Sequence, residues 1–296
     1  TTGNVYIAGS TGSTSYPTLS PLQANSGGGV DMFLTKINPN QNVAAFVTVS
    51  AASYRADQLA PEAIVAGFGV SLSTGPFEGT DTDPNTDGIQ LPTTLGGTTV
   101  NVRDSNGVTR PAPLFFVSPG QINYQMPTGT ASGRASITVN GAGAAILGAG
   151  VVNMAATGPG LFTANALGSG APAGYAIRVK TNGQQTFESI ASGATPIEID
   201  MGPAGEQIFL VLFGTGIRGR LAQGNVQVSY FSGSTFVAAS GVEFADRQGF
   251  LIGLDQINLI LPRTLVGRGE LDVVIRVAGA TSTEDLNANA IKIRVR

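Results

Sequence analysis

The sequence contains no cysteine, no histidine and no tryptophan, and only three lysines, Lys36, Lys180 and Lys292. Each absence removes a class of chemistry. Without histidine the chain lacks the usual general base near neutral pH and the commonest metal ligand. Without cysteine it has no thiol nucleophile, no thiolate ligand for zinc or iron–sulfur clusters, and no disulfide framework. No G-x-S-x-G elbow occurs, and a Ser-His-Asp triad has no base. Paired carboxylates are the catalytic chemistry that remains. Glycosidase clefts are usually lined with aromatic side chains, however, and here there are six tyrosines and no tryptophan. The chain therefore reads as a protein that is not an enzyme, with a carboxylate glycosidase as the alternative to be displaced.

Charge is also scarce. Charged residues make up 12% of the chain and the net charge is −3, with no run of like charges. A nucleic-acid binder carries a basic face, and a protein held on anionic lipid carries a polybasic segment; neither is written here. The longest uncharged stretch, residues 135–177, is interrupted by Asn140, Asn153, Pro159 and repeated glycine. It never sustains the roughly 20 apolar residues of a spanning helix, so no transmembrane segment is expected. The opening TTGNVYIAGS has neither a charged n-region nor an apolar h-region, which places any secretion signal outside this sequence.

What is present points to sheet. Glycine (41) and proline (16) are plentiful and 42% of residues are hydrophobic, too many for a disordered chain. Short runs rich in β-branched and aromatic residues recur at 5–8, 137–140, 176–180, 208–213, 226–230, 271–277 and 291–295. Each is bounded by turn residues, the usual punctuation of a sandwich, and no window sustains a helical i, i+3, i+4, i+7 pattern. The terminal IKIRVR alternates, with Ile291, Ile293 and Val295 on one face and Lys292, Arg294 and Arg296 on the other, as in a half-buried strand.

An internal repeat divides the chain. FFVSPGQINYQMP (115–127) matches FLIGLDQINLILP (250–262), an offset of 135 (256 − 121). Phe68-Gly69 matches Phe213-Gly214 at an offset of 145 (213 − 68). The first copy is thus about ten residues longer between these landmarks, and the Asp-rich segment PFEGTDTDPNTDG (76–88) is the expected insertion. Two copies at this spacing signify duplicated domains, not a solenoid.

From about Val47 onward the sequence resembles the Solibacter-type uncharacterised C-terminal domain family of secreted acidobacterial proteins. The residues that carry the resemblance are SAASYRADQLAPEAIVAGFG (50–69), LPTTLGG (91–97), APLFFVSPGQINYQMP (112–127), GPGLFTAN (158–165), LFGTGIRG (212–219) and GLDQINLILPRTLVGRGELDVVI (253–275). Each half is also similar to a TIG-type immunoglobulin fold, and residues 3–40 resemble one unit of a bacterial β-propeller repeat. One unit cannot close a propeller of 4–8 blades. The resemblance implies an all-β chain: an N-terminal β segment or repeat remnant over 1–42, then two tandem immunoglobulin-like sandwiches over 43–160 and 161–296. It also implies a secreted, cell-surface protein.

Four local features invite a functional reading. GTGIRG (214–219) satisfies the dinucleotide fingerprint G-x-G-x-x-G, but the following RLAQGNVQVSYFSG reads as turn and strand where a helix is required; glycines easing a strand exit are the better account. In DTDPNTDGI (81–89), Asp83, Asn85 and Asp87 fall at positions 1, 3 and 5 of a calcium loop, with the Ile89 carbonyl at 7, but position 12 is Thr94 and not Glu. Calcium, the single candidate cofactor, competes there with a solvated Asp/Asn/Gly turn. The repeated Gln-Ile-Asn, at 121–123 and 256–258, is expected to place amides that satisfy backbone groups at a sheet corner. Lys180 with Asn287 or Asn289 is a candidate isopeptide pair, with a surface lysine and loop asparagines as the alternative.

These features lead to a non-catalytic structural protein of the cell surface, self-associating or joined to other surface proteins. The strand-like Val5, Tyr6, Ile7 and Ala8 are the candidate interface, because they have no evident place in either duplicated half and an unpaired strand is a template for another chain. The alternative is an adhesion module binding glycan or protein through loops at one end of a sandwich.

Overall fold

A computed structural model describes residues 5–12, 27–37, 43–83, 89–220, 225–278 and 285–296. The fold is an all-β sandwich architecture, with short 3-10 turns as its helical elements among the described residues. The chain begins with a hairpin, β1 (Val5–Thr11) and β2 (Asp31–Ile37), that forms a two-stranded sheet of its own.

The next strands are β3 (Val47–Ser50), β4 (Ile64–Phe68), β5 (Phe77–Glu78), β6 (Thr94–Leu95), β7 (Thr98–Arg103) and β8 (Thr109–Pro111). They are followed by β9 (Leu114–Val117), β10 (Gln121–Gln125), β11 (Gly133–Asn140) and β12 (Ile146–Met154). One sheet runs β3-β4-β10-β9-β5, and its mate runs β12-β11-β7-β6 with β8 also on β7. Between them lies a core that includes Val65, Leu114, Ile122, Tyr124, Ile137 and Val139.

The second unit contains β13 (Gly160–Leu161), β14 (Gly174–Val179), β15 (Gln185–Ser189), β16 (Ala191–Ser192), β17 (Thr195–Pro196), β18 (Glu198–Ile199) and β19 (Gln207–Thr215). It continues with β20 (Val226–Ser232), β21 (Thr235–Ser240), β22 (Val242–Arg247), β23 (Asp255–Ile260), β24 (Gly269–Ala278), β25 (Asp285–Asn287) and β26 (Ile291–Val295). Its sheets run β15-β14-β19-β23-β22 and β18-β26-β24-β20-β21. A separate core includes Leu210, Leu212, Tyr230, Ile257, Ile275 and Ile293.

The two units share a strand order. β3-β4-β10-β9 corresponds to β14-β19-β23-β22, and β12-β11-β7-β8 to β26-β24-β20-β21. The repeat seen in the sequence is therefore also a repeat of topology. β5, inside the Asp-rich segment, and β6, shortly after it, have no counterpart among the described residues of the second unit and widen the first one at its sheet edges.

Local pattern explains most strands. Along β23 the residues Asp255, Ile257 and Leu259 point inward and their neighbours outward; β26 buries Ile291, Ile293 and Val295. Period-two burial is what the pleat produces, and burying an aliphatic side chain of this size contributes about 1.5–3 kcal/mol. The uncharged stretch 135–177 forms β11 to β14 with their turns, and no helix among the described residues is long and apolar enough to cross a membrane.

Each core also contains one buried tyrosine whose hydroxyl has a partner. Tyr124 Oη lies 2.8 Å from Thr48 Oγ1, and Tyr230 Oη lies 2.6 Å from Ser240 Oγ. Burial pushes both phenols above their usual range, so they stay neutral. Phe46 stacks against Tyr124 and takes the space over Gly67, where an added Cβ would come within 1.9 Å of its ring. That close approach is why the AGFG run needs glycine at this point.

Candidate functional site

Among the described residues, the hairpin holds several large apolar side chains that its own chain leaves exposed. Register pairs Tyr6 with Lys36, Ala8 with Leu34 and Ser10 with Met32, so Tyr6, Ala8, Met32 and Leu34 share one face. Tyr6 is 60% exposed, Met32 82% and Leu34 70%. Ile7, on the opposite face, is 46% exposed, and Phe33 crosses over Gly9, leaving no room there for a Cβ. Val5 takes part in the pairing with β2. The four residues singled out from sequence, Val5 to Ala8, thus lie in one strand. Reading the sequence missed its partner, β2, although DMFLTKI contains the apolar run Met32–Leu34 after a glycine-rich turn.

The candidate calcium loop is described only at its ends. Asn85 and Asp87 lie outside the described residues; Asp83 and Ile89 lie within them. Asp81 closes the loop, its Oδ1 accepting from the backbone N–H of Asp83 at 3.1 Å and of Gln90 at 2.9 Å. Thr82 adds its own N–H and hydroxyl to the Gln90 carbonyl. These are the hydrogen bonds of an Asx-type turn. Among the described residues there is no group of three or more potential metal-binding side chains.

GTGIRG follows the strand-exit reading at Gly216, which turns the chain after β19 with φ +75°, and adds a contact that reading did not include. Its glycines face the segment joining the two units. An added Cβ on Gly214 would lie 2.6 Å from the Gly160 carbonyl oxygen, on Gly216 2.2 Å from that of Gly158, and on Gly219 1.8 Å from that of Ala156. Gly216 also has φ +75° and accepts the Gly158 N–H at 2.9 Å. β19 ends at Thr215 and the next described strand is β20, from Val226. The motif is a backbone-to-backbone seam, and its glycines are fixed by contact with residues about 60 positions away.

Polar groups complete the seam. Thr215 Oγ1 accepts the Ile64 N–H at 2.8 Å from the first unit and donates to the Gly253 carbonyl at 2.7 Å. Asp255, fully buried, accepts from Ile217 N–H at 2.7 Å and from Arg218 Nε at 2.6 Å. Burial raises its carboxyl above the ordinary range against the pull of Arg218. Arg247 reaches Glu62 at 2.9 Å, Tyr54 Oη donates to the Ala166 carbonyl, and Arg55 to the Asn287 carbonyl. Glu62 holds φ +63°, a conformation uncommon outside glycine. Beside it opens a cleft of about 290 Å³, lined by Glu62, Gln125, Arg218 and Arg247 with Phe250 and Ile89 at the apolar side. The charged groups of that cleft have ion partners: Arg247 with Glu62 and Arg218 with Asp255.

The amides of the repeated Gln-Ile-Asn correct one expectation. They bond each other and not the backbone: Gln121 Nε2 donates to Asn123 Oδ1 at 2.7 Å, and Gln256 Nε2 to Asn258 Oδ1 at 2.8 Å. Two residues apart on a strand, the side chains share a face, so each amide pair satisfies itself on the outside of its sheet. The candidate cross-link residues have other partners. Lys180 Nζ donates to Gln184 Oε1 in the open, while Asn289 clamps the backbone of Leu161 and Gly168.

No protein-family model matches the chain, and no curated protein matches it.

Proposed function

We propose that this protein is a non-catalytic structural subunit of an extracellular, cell-surface assembly, joined to its neighbours through the β1–β2 hairpin. The two sandwiches form the body of the subunit, and each is immunoglobulin-like in this reading. The observation that carries it is the hairpin: a two-stranded sheet with no further strand partner among the described residues and with exposed Tyr6, Ile7, Met32 and Leu34. Two strands alone are marginal in water, and an uncovered strand edge is a template for another chain. The extracellular placement rests on the family resemblance of residues 47–275. The non-catalytic reading rests on the missing histidine and cysteine and on the paired state of the charges in the cleft.

Electron microscopy of the purified protein at rising concentration tests the proposal. Ordered linear polymers are expected, and particles that stay single at every concentration would overturn it. A second reading, adhesion through loops, is favoured by one observation. The loop tip holding Phe250 (82% exposed) and Leu251 (56% exposed) stands beside Ile89 of the Asp-rich segment. Glycan or protein binding that disappears in Phe250→Ala and in the presence of a calcium chelator would support a metal-dependent form of that reading.

A further inference from the structure

If the hairpin joins subunits, a neighbour must present the complementary edge. We infer that the acceptor is the β15 edge of the second sandwich in a second copy of this chain, with β1 adding alongside Gln185–Ser189. The inference rests on the assembly reading above and supplies the partner surface it lacks.

The donor is argued from exposure and charge. Tyr6, Ile7, Val30, Met32 and Leu34 are each between 46% and 82% exposed. By register Tyr6, Met32 and Leu34 share one face of the hairpin, an exposed apolar cluster of the kind that marks an interaction surface, and Ile7 is exposed on the other. Of the two hairpin strands, β2 carries Asp31 and Lys36, whereas β1 (VYIAGST) carries no charge and no proline. The uncharged strand is the better template.

The acceptor is argued by comparing edges. Natural edges are blunted by bulges, charges, proline or shortness. β22 has a register shift between Val242 and Phe244 and carries Glu243, Asp246 and Arg247. β21 lies beside a shift in β20. β5 and β6 are two residues long, and β3 is four. β15 has none of these guards: it pairs with β14 over five residues in unbroken register, without lysine or proline. Its one charge, Glu188, is taken by Arg178 at 2.5 Å.

β15 also ends an aromatic row. Phe213 and Tyr175 have ring centroids 6.1 Å apart, and Tyr175 and Phe187 5.6 Å apart. Phe187, at the edge, is 70% exposed. A strand added beyond it would continue the row with Tyr6 or Ile7, covering an aromatic face that stops at water. Side chains opposite one another on adjoining strands pack at about 4.5–5.5 Å between Cβ atoms. The five-residue ladder, about 17 Å long, fits within the seven residues of β1.

Complementation in the full-length chain tests this. Phe187→Lys blocks the acceptor and leaves the donor, while Tyr6→Lys with Ile7→Lys blocks the donor and leaves the acceptor; all three positions are exposed. Each variant alone is expected to raise the assembling concentration about tenfold or more in sedimentation velocity, and a mixture of the two is expected to stop at the dimer. Phe244→Lys, at an exposed position on the guarded β22 edge, is expected to assemble as the parent does. If Phe187→Lys assembles normally while the hairpin variant does not, the acceptor is wrong and hairpin-mediated assembly stands. If the hairpin variant also assembles normally, or the parent does not assemble, both fall. Folding of each variant is checked by its circular dichroism and melting profile, and Phe187→Thr, which keeps β propensity without the charge, is expected to weaken assembly less than Phe187→Lys.

Discussion

Asp255 occupies the place that Gly120 holds in the first repeat, directly before Gln-Ile-Asn. That exchange puts a carboxylate inside the second unit, where Arg218 Nε and two backbone N–H groups meet it. Removing one partner of a buried ion pair costs about 3–5 kcal/mol because the other charge is stranded. Asp255→Ala is therefore expected to lose that much in urea denaturation, and a change below about 1 kcal/mol would show that Arg218 finds compensation. Asp104 behaves in the opposite sense. Burial tends to raise its carboxyl, but Arg110 at 2.6 Å and the N–H groups of Val108 and Ala131 outweigh that and hold it below the usual range. Its contribution is full above the unfolded value, about 3.9, and is lost as pH falls through the lower folded value. For Asp255, raised in the fold, the contribution is present below about 3.9 and lost as pH rises through the folded value. Asp104→Asn is accordingly expected to flatten the acid limb of the stability curve, and Asp255→Asn to steepen it. Stability measured from pH 2 to pH 6 checks both signs.

At the scale of elements, the strands were the legible part. IKIRVR, DQINLI and the strands around 137, 208 and 271 declare themselves because their inward and outward positions alternate or because they are apolar runs between turns, which needs no knowledge of the partner. GTGIRG could not be read in the same way. Its glycines answer to the carbonyls of Ala156, Gly158 and Gly160, and nothing local to the motif names those contacts. Thr215 was equally hidden: its counterpart in the first repeat is Val70, 66% exposed, whereas Thr215 is buried between Ile64 and Gly253. The clue available in the sequence was the departure itself, Thr for Val and Asp for Gly between otherwise matching repeats. Thr215→Val keeps the shape but leaves the Ile64 N–H and the Gly253 carbonyl without their partner. A loss of about 1–3 kcal/mol for each buried group left unpaired is expected in denaturant titrations, whereas Val70→Thr, in the open, is expected to change little.

For the whole molecule, the seam is expected to make the two cores unfold together. Gly219 is packed against the backbone of Ala156, which no side-chain rotation relieves, so Gly219→Ala is expected to separate the units. Calorimetry of the parent chain should show one cooperative transition, and Gly219→Ala two; two transitions already present in the parent would mean that the seam does not couple the cores. A coupled body suits a subunit that transmits load along an assembly, with the hairpin at one end of the chain and β15 in the second unit. The measurement that bears most directly on this is sedimentation velocity with electron microscopy of the full chain beside its Tyr6→Lys/Ile7→Lys variant. The expected result is concentration-dependent linear polymers for the parent and single particles for the variant. Identical behaviour of the two, whether both polymerise or both remain single, would contradict it.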